Sequence, residues 1–299
     1  MSSLKIMVVG LITHDAGKTT VARALISELV SRGYRVGVAK PVAGHNIWYQ
    51  PASVRNSIEN RILVGEDAVV LKKTSGSEDP LEAINPLDIA LAPLDPIHYL
   101  RSLRSYEDAM ASMISSAIML RISICVEGDI KTAHYIVYRR LEKIPGGVRR
   151  VVEDIASKIY PRPIAIDVEA LEQLILEGYV ASETCYRAIA NKHQIMVIES
   201  FNNSASPLAR LENIDAVIAV SPGKILIYDG STYLKALKVI LGVEGSIHRR
   251  WWPTTSEVLR LISPIEIIDT PYIEDINLFG EFTENLADKV ISISKEAKA

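Results

Sequence analysis

Four consecutive residues, Gly17-Lys18-Thr19-Thr20, follow a short apolar run and open a segment with helical spacing. The first N–H groups of a helix lack intrahelical partners and carry partial positive charge, so they stabilise phosphate there. In this setting Lys18 would reach the β and γ phosphates of a nucleotide, and the Thr19 hydroxyl would bind Mg²⁺. The pattern therefore predicts a phosphate-binding loop.

The predicted loop is longer than the usual one, in which four residues separate two glycines. Here the upstream glycine is Gly10, and Ile12 stands where the usual spacing would place a glycine. Asp15 and its neighbour His14 face the γ phosphate in this prediction, where Asp15 would order Lys18 or a substrate; either side chain could instead only stabilise the loop. The residues predicted to contact the nucleotide phosphates are Gly10, Thr13, His14, Ala16, Gly17, Lys18, Thr19 and Thr20.

The elements around this loop predict a parallel sheet. An apolar strand at residues 5–9, an amphipathic helix at 19–32 that ends at Gly33, and a strand at 35–39 form a βαβ unit. Later strands, each expected to be buried on both faces, are predicted at 195–198, 216–220 and 265–268. A hairpin is predicted around Gly128-Asp129, between residues 122–126 and 133–138. Helices are predicted at 106–120, 147–160, 168–176, 182–191, 231–241, 255–262 and 281–295.

These elements predict an α/β fold, a three-layer P-loop NTPase with a mostly parallel central sheet and an inserted, mainly helical subdomain. The first part of the nucleotide-binding core would comprise residues 1–120 and the second part residues 193–299. The pattern changes between residues 121 and 192, which we predict to form a cap or subdomain.

Further segments, taken in order, resemble the dethiobiotin synthetases. They are Lys40-Pro41-Val42 after the second strand, Gly65-Glu66-Asp67, the strand at 195–198 that ends in Glu199, and Thr270-Pro271-Tyr272. The resemblance covers residues 5–98 and 194–275. It implies that Asp67 and Glu199 bind Mg²⁺ together with Thr19, that Pro271 lies beside the base, and that the chain forms a homodimer.

The chemistry of these residues agrees with those roles. Nucleotide-bound Mg²⁺ takes hard oxygen ligands, and open α/β sheets bind ligands at the carboxyl ends of their strands, where Glu199 would lie. Lys40, after the second strand, would face the same crevice and neutralise charge during phosphoryl transfer. Glu127 also ends an apolar run, so it is an alternative to Glu199, although the spacing to the next strand favours Glu199. Asp67 could instead cap a helix.

The substrate side departs from the family. The turn at residues 200–204 replaces a glycine-rich turn, and the loop at residues 45–50 is rich in aromatic and amide side chains. Such side chains supply contact area and directed hydrogen bonds, although the loop could also be a packed or dimer surface. The residues predicted to contact a substrate are His45, Asn46, Trp48, Tyr49, Ser200, Asn202 and Asn203. Residues 249–252, Arg-Arg-Trp-Trp, would bind an anion, stack a base or form a surface turn.

Composition limits the class of protein. The 299 residues include 33 Lys and Arg and 36 Asp and Glu, so the formal charge of −3 argues against a basic nucleic-acid surface. The two cysteines are expected to stay as free thiols in a reducing cytoplasm. No apolar run approaches the roughly 20 residues of a membrane helix. No zinc-ligand spacing or serine-hydrolase elbow is present.

The leading functional hypothesis is therefore a cytoplasmic enzyme that uses ATP and Mg²⁺. It would transfer the γ-phosphoryl group to a small carboxylate or carbamate metabolite, with Lys18, Lys40 and Asp15 as catalytic residues. The choice between ATP and GTP is left open. The alternatives are a regulatory or switch NTPase that acts on a macromolecular partner and, third, a nucleotide-binding module without turnover.

Overall fold

The computed structural model describes residues 3–243, 253–271 and 280–296. Two segments with predicted roles, residues 249–252 and Tyr272, lie outside these ranges.

The strands are β1 (Leu4–Gly10), β2 (Val36–Ala39), β3 (Val42–Asn46), β4 (Leu87–Leu91), β5 (Ala117–Val126), β6 (Asp129–Val137), β7 (Ile164–Ile166), β8 (Ile195–Glu199), β9 (Ala216–Ser221), β10 (Lys224–Asp229) and β11 (Glu266–Asp269). The α-helices are α1 (Lys18–Ser31), α2 (Pro51–Asn60), α3 (Glu66–Ser75), α4 (Leu81–Ile84), α5 (Leu103–Ala111), α6 (Met113–Ser116), α7 (Gly146–Lys158), α8 (Val168–Ala190), α9 (Gly230–Val243), α10 (Thr255–Leu259) and α11 (Gly280–Glu296). Two short 3₁₀ helices span Pro96–Tyr99 and Tyr138–Glu142.

The chain folds into two compact units. Unit 1 comprises Met1–Pro41, Val70–Pro80 and Tyr186–Ala299, and unit 2 comprises Val42–Val69 and Leu81–Cys185. These units do not follow the predicted boundaries at residues 120 and 192. Residues 42–69 and 81–120 belong to unit 2 because β3 and β4 pair with each other and β4 pairs with β5, a contact between distant segments that local patterns do not reveal.

Unit 1 contains a sheet with the strand order β11-β10-β9-β1-β8-β2. Strand β1 is parallel to both β8 and β9, and β2 is parallel to β8. These strands are buried Ile, Val and Ala runs, as expected for a sheet covered on both faces. Strands β10 and β11 are added antiparallel. The predicted α/β fold with a parallel-rich, P-loop NTPase-like sheet is thus confirmed.

Strand β11 corrects one prediction about burial. We expected it to be buried on both faces, but Ile267 is 57% exposed and the strand alternates between half-buried and exposed positions. Within the described part of the chain, β11 is the last strand of its sheet and pairs with β10 alone. Successive side chains of a strand point to opposite faces of the sheet, and one face of β11 is exposed, so an Ile-rich sequence does not by itself guarantee burial.

Unit 2 contains a second sheet with the order β3-β4-β5-β6-β7. Strands β5 and β6 form the predicted hairpin, which turns at Glu127 and Gly128, both with positive φ (53° and 91°). A two-residue turn of this kind matches the twist of its strands. Glu127, the alternative to Glu199, therefore lies in the hairpin turn.

The helices agree with the predictions in most places. Helices α7, α9, α10 and α11 lie where expected, whereas the two helices predicted at 168–176 and 182–191 form one continuous helix, α8. The helix predicted at 106–120 is wrong in its last part, because β5 begins at Ala117. Residues 117–122 are buried between β4 and β6, and this pairing overrides the helical spacing.

Cys125 and Cys185 form a disulfide within unit 2, so the expectation that both thiols stay free is wrong. Sixty positions separate the two cysteines, and neither residue carries a local pattern that indicates its partner. Across the described ranges, every helix is too short or too polar to cross a membrane.

Candidate functional site

The phosphate loop links β1 to α1 and is exposed along most of its length. Thr13, His14, Asp15 and Gly17 are exposed, whereas Ala16 is buried beneath them. Asp15 and Gly17 have positive φ (53° and 87°), so the chain turns sharply into the helix. Gly17 is the N-cap residue and provides no side-chain cap. The first turn of α1 therefore presents backbone N–H groups at an exposed loop, which suits a phosphate.

Gly10 ends β1 and allows a close approach that other residues would prevent. A Cβ atom at this position would lie 3.0 Å from the Asn202 carbonyl oxygen and 3.1 Å from Lys18 Nζ. It would also lie 3.2 Å from the Ala16 Cβ. Three groups therefore lie close together at the end of β1: the Lys18 ammonium, the phosphate loop and the turn after β8. A glycine is needed at position 10 because a side chain there would contact all three.

Glu199 joins two of the other predicted residues at the same edge of the sheet. Its Oε1 atom accepts a hydrogen bond from the Thr19 hydroxyl at 2.9 Å and lies 2.5 Å from Lys40 Nζ. Lys40 also donates to the Ser200 carbonyl oxygen at 3.0 Å. The Glu199 side chain is fully buried and that of Lys40 is 3% exposed. The structure therefore brings Thr19, Lys40 and Glu199 together, as the sequence predicted.

The sheet register accounts for this meeting. Val8 of β1 lies opposite Glu199 of β8, and Ala39 of β2 lies opposite Ile198. Lys40 follows Ala39 directly. The carboxyl ends of β1, β2 and β8 therefore lie at one edge of the sheet, together with Lys40 and Glu199. Carboxyl edges of parallel sheets are where α/β proteins bind their ligands.

The turn after β8 is held by the start of α10, a contact that the sequence did not predict. The Asn203 carbonyl oxygen accepts hydrogen bonds from the Thr255 backbone N–H at 2.8 Å and from its hydroxyl at 3.1 Å. The Ser200 N–H donates to the Val8 carbonyl oxygen at 2.9 Å. The start of α10 was predictable from its capping box, Thr254 with Glu257. Its contact with the turn was not, because about 50 residues separate them.

The donor set at this edge fits nucleotide-bound Mg²⁺. The Thr19 hydroxyl and the Glu199 carboxylate are hard oxygen groups that already lie in contact, beside the loop that would hold the phosphates. The described residues contain no cluster of three or more His, Cys, Asp or Glu side chains that could hold a metal by themselves. Mg²⁺ in nucleotide sites is held in part by phosphate oxygens.

The remaining predicted site residues belong mainly to unit 2. Asp67 is half-buried in the first turn of α3. His45 is buried, with Nδ1 3.2 Å from Asp88 Oδ1, so its imidazole faces the interior. Trp48 and Tyr49 are 62% and 69% exposed, on a turn in which the Asn46 side chain accepts the Trp48 N–H. In unit 1, Pro271 is exposed just after β11. The roles of these residues stay predictions.

Comparison with known proteins gives a partial relationship. No family model matches the chain. It is 36% identical over 81 residues to the ATP-dependent dethiobiotin synthetase BioD of Idiomarina loihiensis, an alignment that covers 26% of this chain and 32% of the relative. It is 37% identical over 90 residues to the ATP-dependent dethiobiotin synthetase BioD 2 of Escherichia coli K12, which covers 28% and 35%. The chain thus spans about a third of these relatives' length. The similarity indicates a distant P-loop ATPase relationship.

Proposed function

We propose that the chain is an enzyme that uses Mg²⁺ and ATP to transfer the γ-phosphoryl group to a small carboxylate- or carbamate-type metabolite. The observation that carries the proposal is the contact of Thr19, Lys40 and Glu199 at the sheet edge beside the exposed phosphate loop. A nucleotide-binding module without chemistry needs the loop, but it has no need of a buried lysine and carboxylate there. The distant similarity to ATP-dependent synthetases supports the same class of reaction.

Each residue has a defined part in this proposal. The N–H groups at the start of α1 and the Lys18 ammonium bind the phosphates, and Asp15 orders Lys18 or the substrate. Thr19 and Glu199 hold the cation, which when bound supplies charge neutralisation at the phosphate oxygens. Lys40 stabilises the negative charge that develops on the transferred group, an effect that is strong in a buried site. Asn202 and Asn203, which are half-buried, contribute to the substrate surface, whereas Ser200, predicted with them, is fully buried.

The proposal is tested with a panel of small carboxylates, amines and carbamates, in which phosphate release from Mg²⁺-ATP or Mg²⁺-GTP is measured. We expect slow hydrolysis alone and an acceleration of at least roughly tenfold with one metabolite, because a bound acceptor completes the site. Lys18→Ala should abolish binding of a fluorescent ATP analogue. Lys238→Ala is the matched control, since Lys238 is exposed on α9.

Two results would overturn the proposal. Native nucleotide affinity in Lys18→Ala would show that the loop does not bind phosphate. Hydrolysis that responds to no metabolite but does respond to an added macromolecule would favour the regulatory NTPase instead. Glu199→Gln should reduce the Mg²⁺-dependent rate.

A further inference from the structure

The Glu199 carboxylate accepts two hydrogen bonds on the same oxygen. Its Oε1 atom receives the Thr19 hydroxyl at 2.9 Å and the Lys40 ammonium at 2.5 Å. Thr19 lies in the first turn of α1 and Lys40 follows β2, so the two donors reach the carboxylate from different elements of unit 1. Oε1 is therefore the carboxylate oxygen beside the Thr19 hydroxyl, and a cationic side chain already binds it.

A metal cation and the Lys40 ammonium would repel each other at this oxygen. A cation that takes both the Thr19 hydroxyl and the Glu199 carboxylate would bind beside Oε1, at roughly 2 Å from it, as Mg²⁺ does with carboxylates. Because Lys40 Nζ is 2.5 Å from the same atom, the two positive charges would lie within about 5 Å of each other. The pair is buried, where water screens such a repulsion poorly.

The surroundings of Lys40 allow its ammonium to leave Glu199 and still remain at this edge of the sheet. The ammonium also donates to the Ser200 carbonyl oxygen at 3.0 Å, and the Ser200 N–H is bound to the Val8 carbonyl oxygen at 2.9 Å. Pro41 restricts the backbone of the residue before it, whereas the four-carbon stem of a lysine is flexible. The Ser200 carbonyl is therefore an anchor about which the ammonium can turn from the carboxylate towards a phosphate on the loop.

We propose that Lys40 leaves Glu199 for the transferred phosphoryl group when a cation binds the carboxylate, so that ammonium and cation compete for one oxygen. The inference rests on the proposed function, in which Glu199 holds the cation. Lys40 then neutralises the buried carboxylate until the metal arrives, which avoids an uncompensated buried charge. Lys40 becomes a catalytic residue only with the metal–nucleotide complex bound, and this regulates the same site.

The first experiment measures Mn²⁺ affinity by electron paramagnetic resonance on the full chain loaded with ADP, which has no γ phosphate for Lys40 to bind. Lys40→Met should bind Mn²⁺ at least about tenfold more tightly than the native protein, because it lacks the competing ammonium. With a non-hydrolysable ATP analogue the gain should be smaller, since the native ammonium then contacts the γ phosphate. Lys238→Met is the matched control for the loss of one positive charge, because Lys238 is exposed on α9.

The second experiment uses the native protein and does not depend on the stability of a variant. In a crystal structure with Mg²⁺ and the same ATP analogue, Lys40 Nζ should lie more than about 3.5 Å from both Glu199 oxygens, beyond hydrogen-bond distance. The ammonium should instead contact the γ phosphate.

The outcomes separate this inference from the proposed function. Unchanged or weaker Mn²⁺ binding to ADP-loaded Lys40→Met would overturn the competition, and so would a Glu199 that binds both the cation and Lys40 in the crystal structure. The proposed function would stand in both cases. Native Mn²⁺ affinity in Glu199→Gln, or no nucleotide-dependent Mn²⁺ binding in the native protein, would contradict the proposed function and the inference together.

Discussion

His134 should make the stability of the protein depend on pH in a defined window. Its ring is fully buried, with Nε2 accepting the Leu63 N–H and Nδ1 2.9 Å from the Pro161 carbonyl oxygen. Both contacts fit a neutral imidazole that donates from Nδ1. Burial and, after it, the nearby charge of Arg121 lower the pKa of this histidine from 6.5 to about 4.

The direction of the effect follows from linkage. Because the pKa is lower in the folded state, the unfolded chain binds more protons between pH 6.5 and pH 4. The contribution to stability is complete above pH 6.5, is lost as the pH falls towards 4, and levels off below that value. A shift from 6.5 to about 4 corresponds to a loss of about 3 kcal/mol over this window. Protonation would also remove the acceptor for the Leu63 N–H.

Denaturant unfolding followed by circular dichroism at several pH values between 4 and 7.5 measures this loss. His134→Gln should be less stable at pH 7.5, since a glutamine cannot reproduce both contacts of the ring, and its stability should fall less steeply with pH. His98→Gln is the matched control, because the His98 side chain is exposed. If His134→Gln kept the full pH dependence of the native protein, the assignment of that dependence to His134 would be refuted.

Two other predictions concern stability. Reduction with a dithiol, or the double change Cys125→Ser and Cys185→Ser, should lower the free energy of unfolding by about 4 kcal/mol, because the disulfide closes a loop of 60 positions in the unfolded chain. Calorimetry with and without reductant measures this loss. A serine variant whose stability still changed with reductant would contradict the prediction. Lys40→Met should lower the free energy of unfolding by about 3–5 kcal/mol, because it leaves Glu199 buried without its counter-ion, and adding Glu199→Met should restore most of that stability. Midpoints of denaturant unfolding measure both changes. Equal losses in the single and the double variant would disprove the pairing argument.

The site in unit 1 was predictable because its parts are local. The loop, the helix start at Lys18 and the strand that ends in Glu199 are each visible within a few residues, and parallel strands then bring their carboxyl ends together. The contact of Glu199 with both Thr19 and Lys40 is not visible in any local pattern. It follows from the strand register, which places Val8 of β1 opposite Glu199 of β8.

Unit 2 was less predictable because long-range pairing determines it. The apolar residues 117–120 have a helical pattern and become a strand only because β4 and β6 lie on both sides. The register of β3 and β4 places His45 diagonal to Asp88 on the same sheet, a contact that no local pattern predicted. The disulfide likewise joins residues that the sequence keeps far apart.

The buried pair of Lys40 and Glu199 is better explained by chemistry than by stability. Hydrophobic residues of similar volume often stabilise a fold as well as a buried ion pair does, because removing two charges from water is costly. One carboxylate oxygen here receives both the ammonium and the Thr19 hydroxyl. These charges lie at the carboxyl edge of the sheet, next to an exposed helix start, where a phosphate would arrive. Under the proposed function Lys40 would face the phosphate and Glu199 the cation, and apolar side chains could fill neither role.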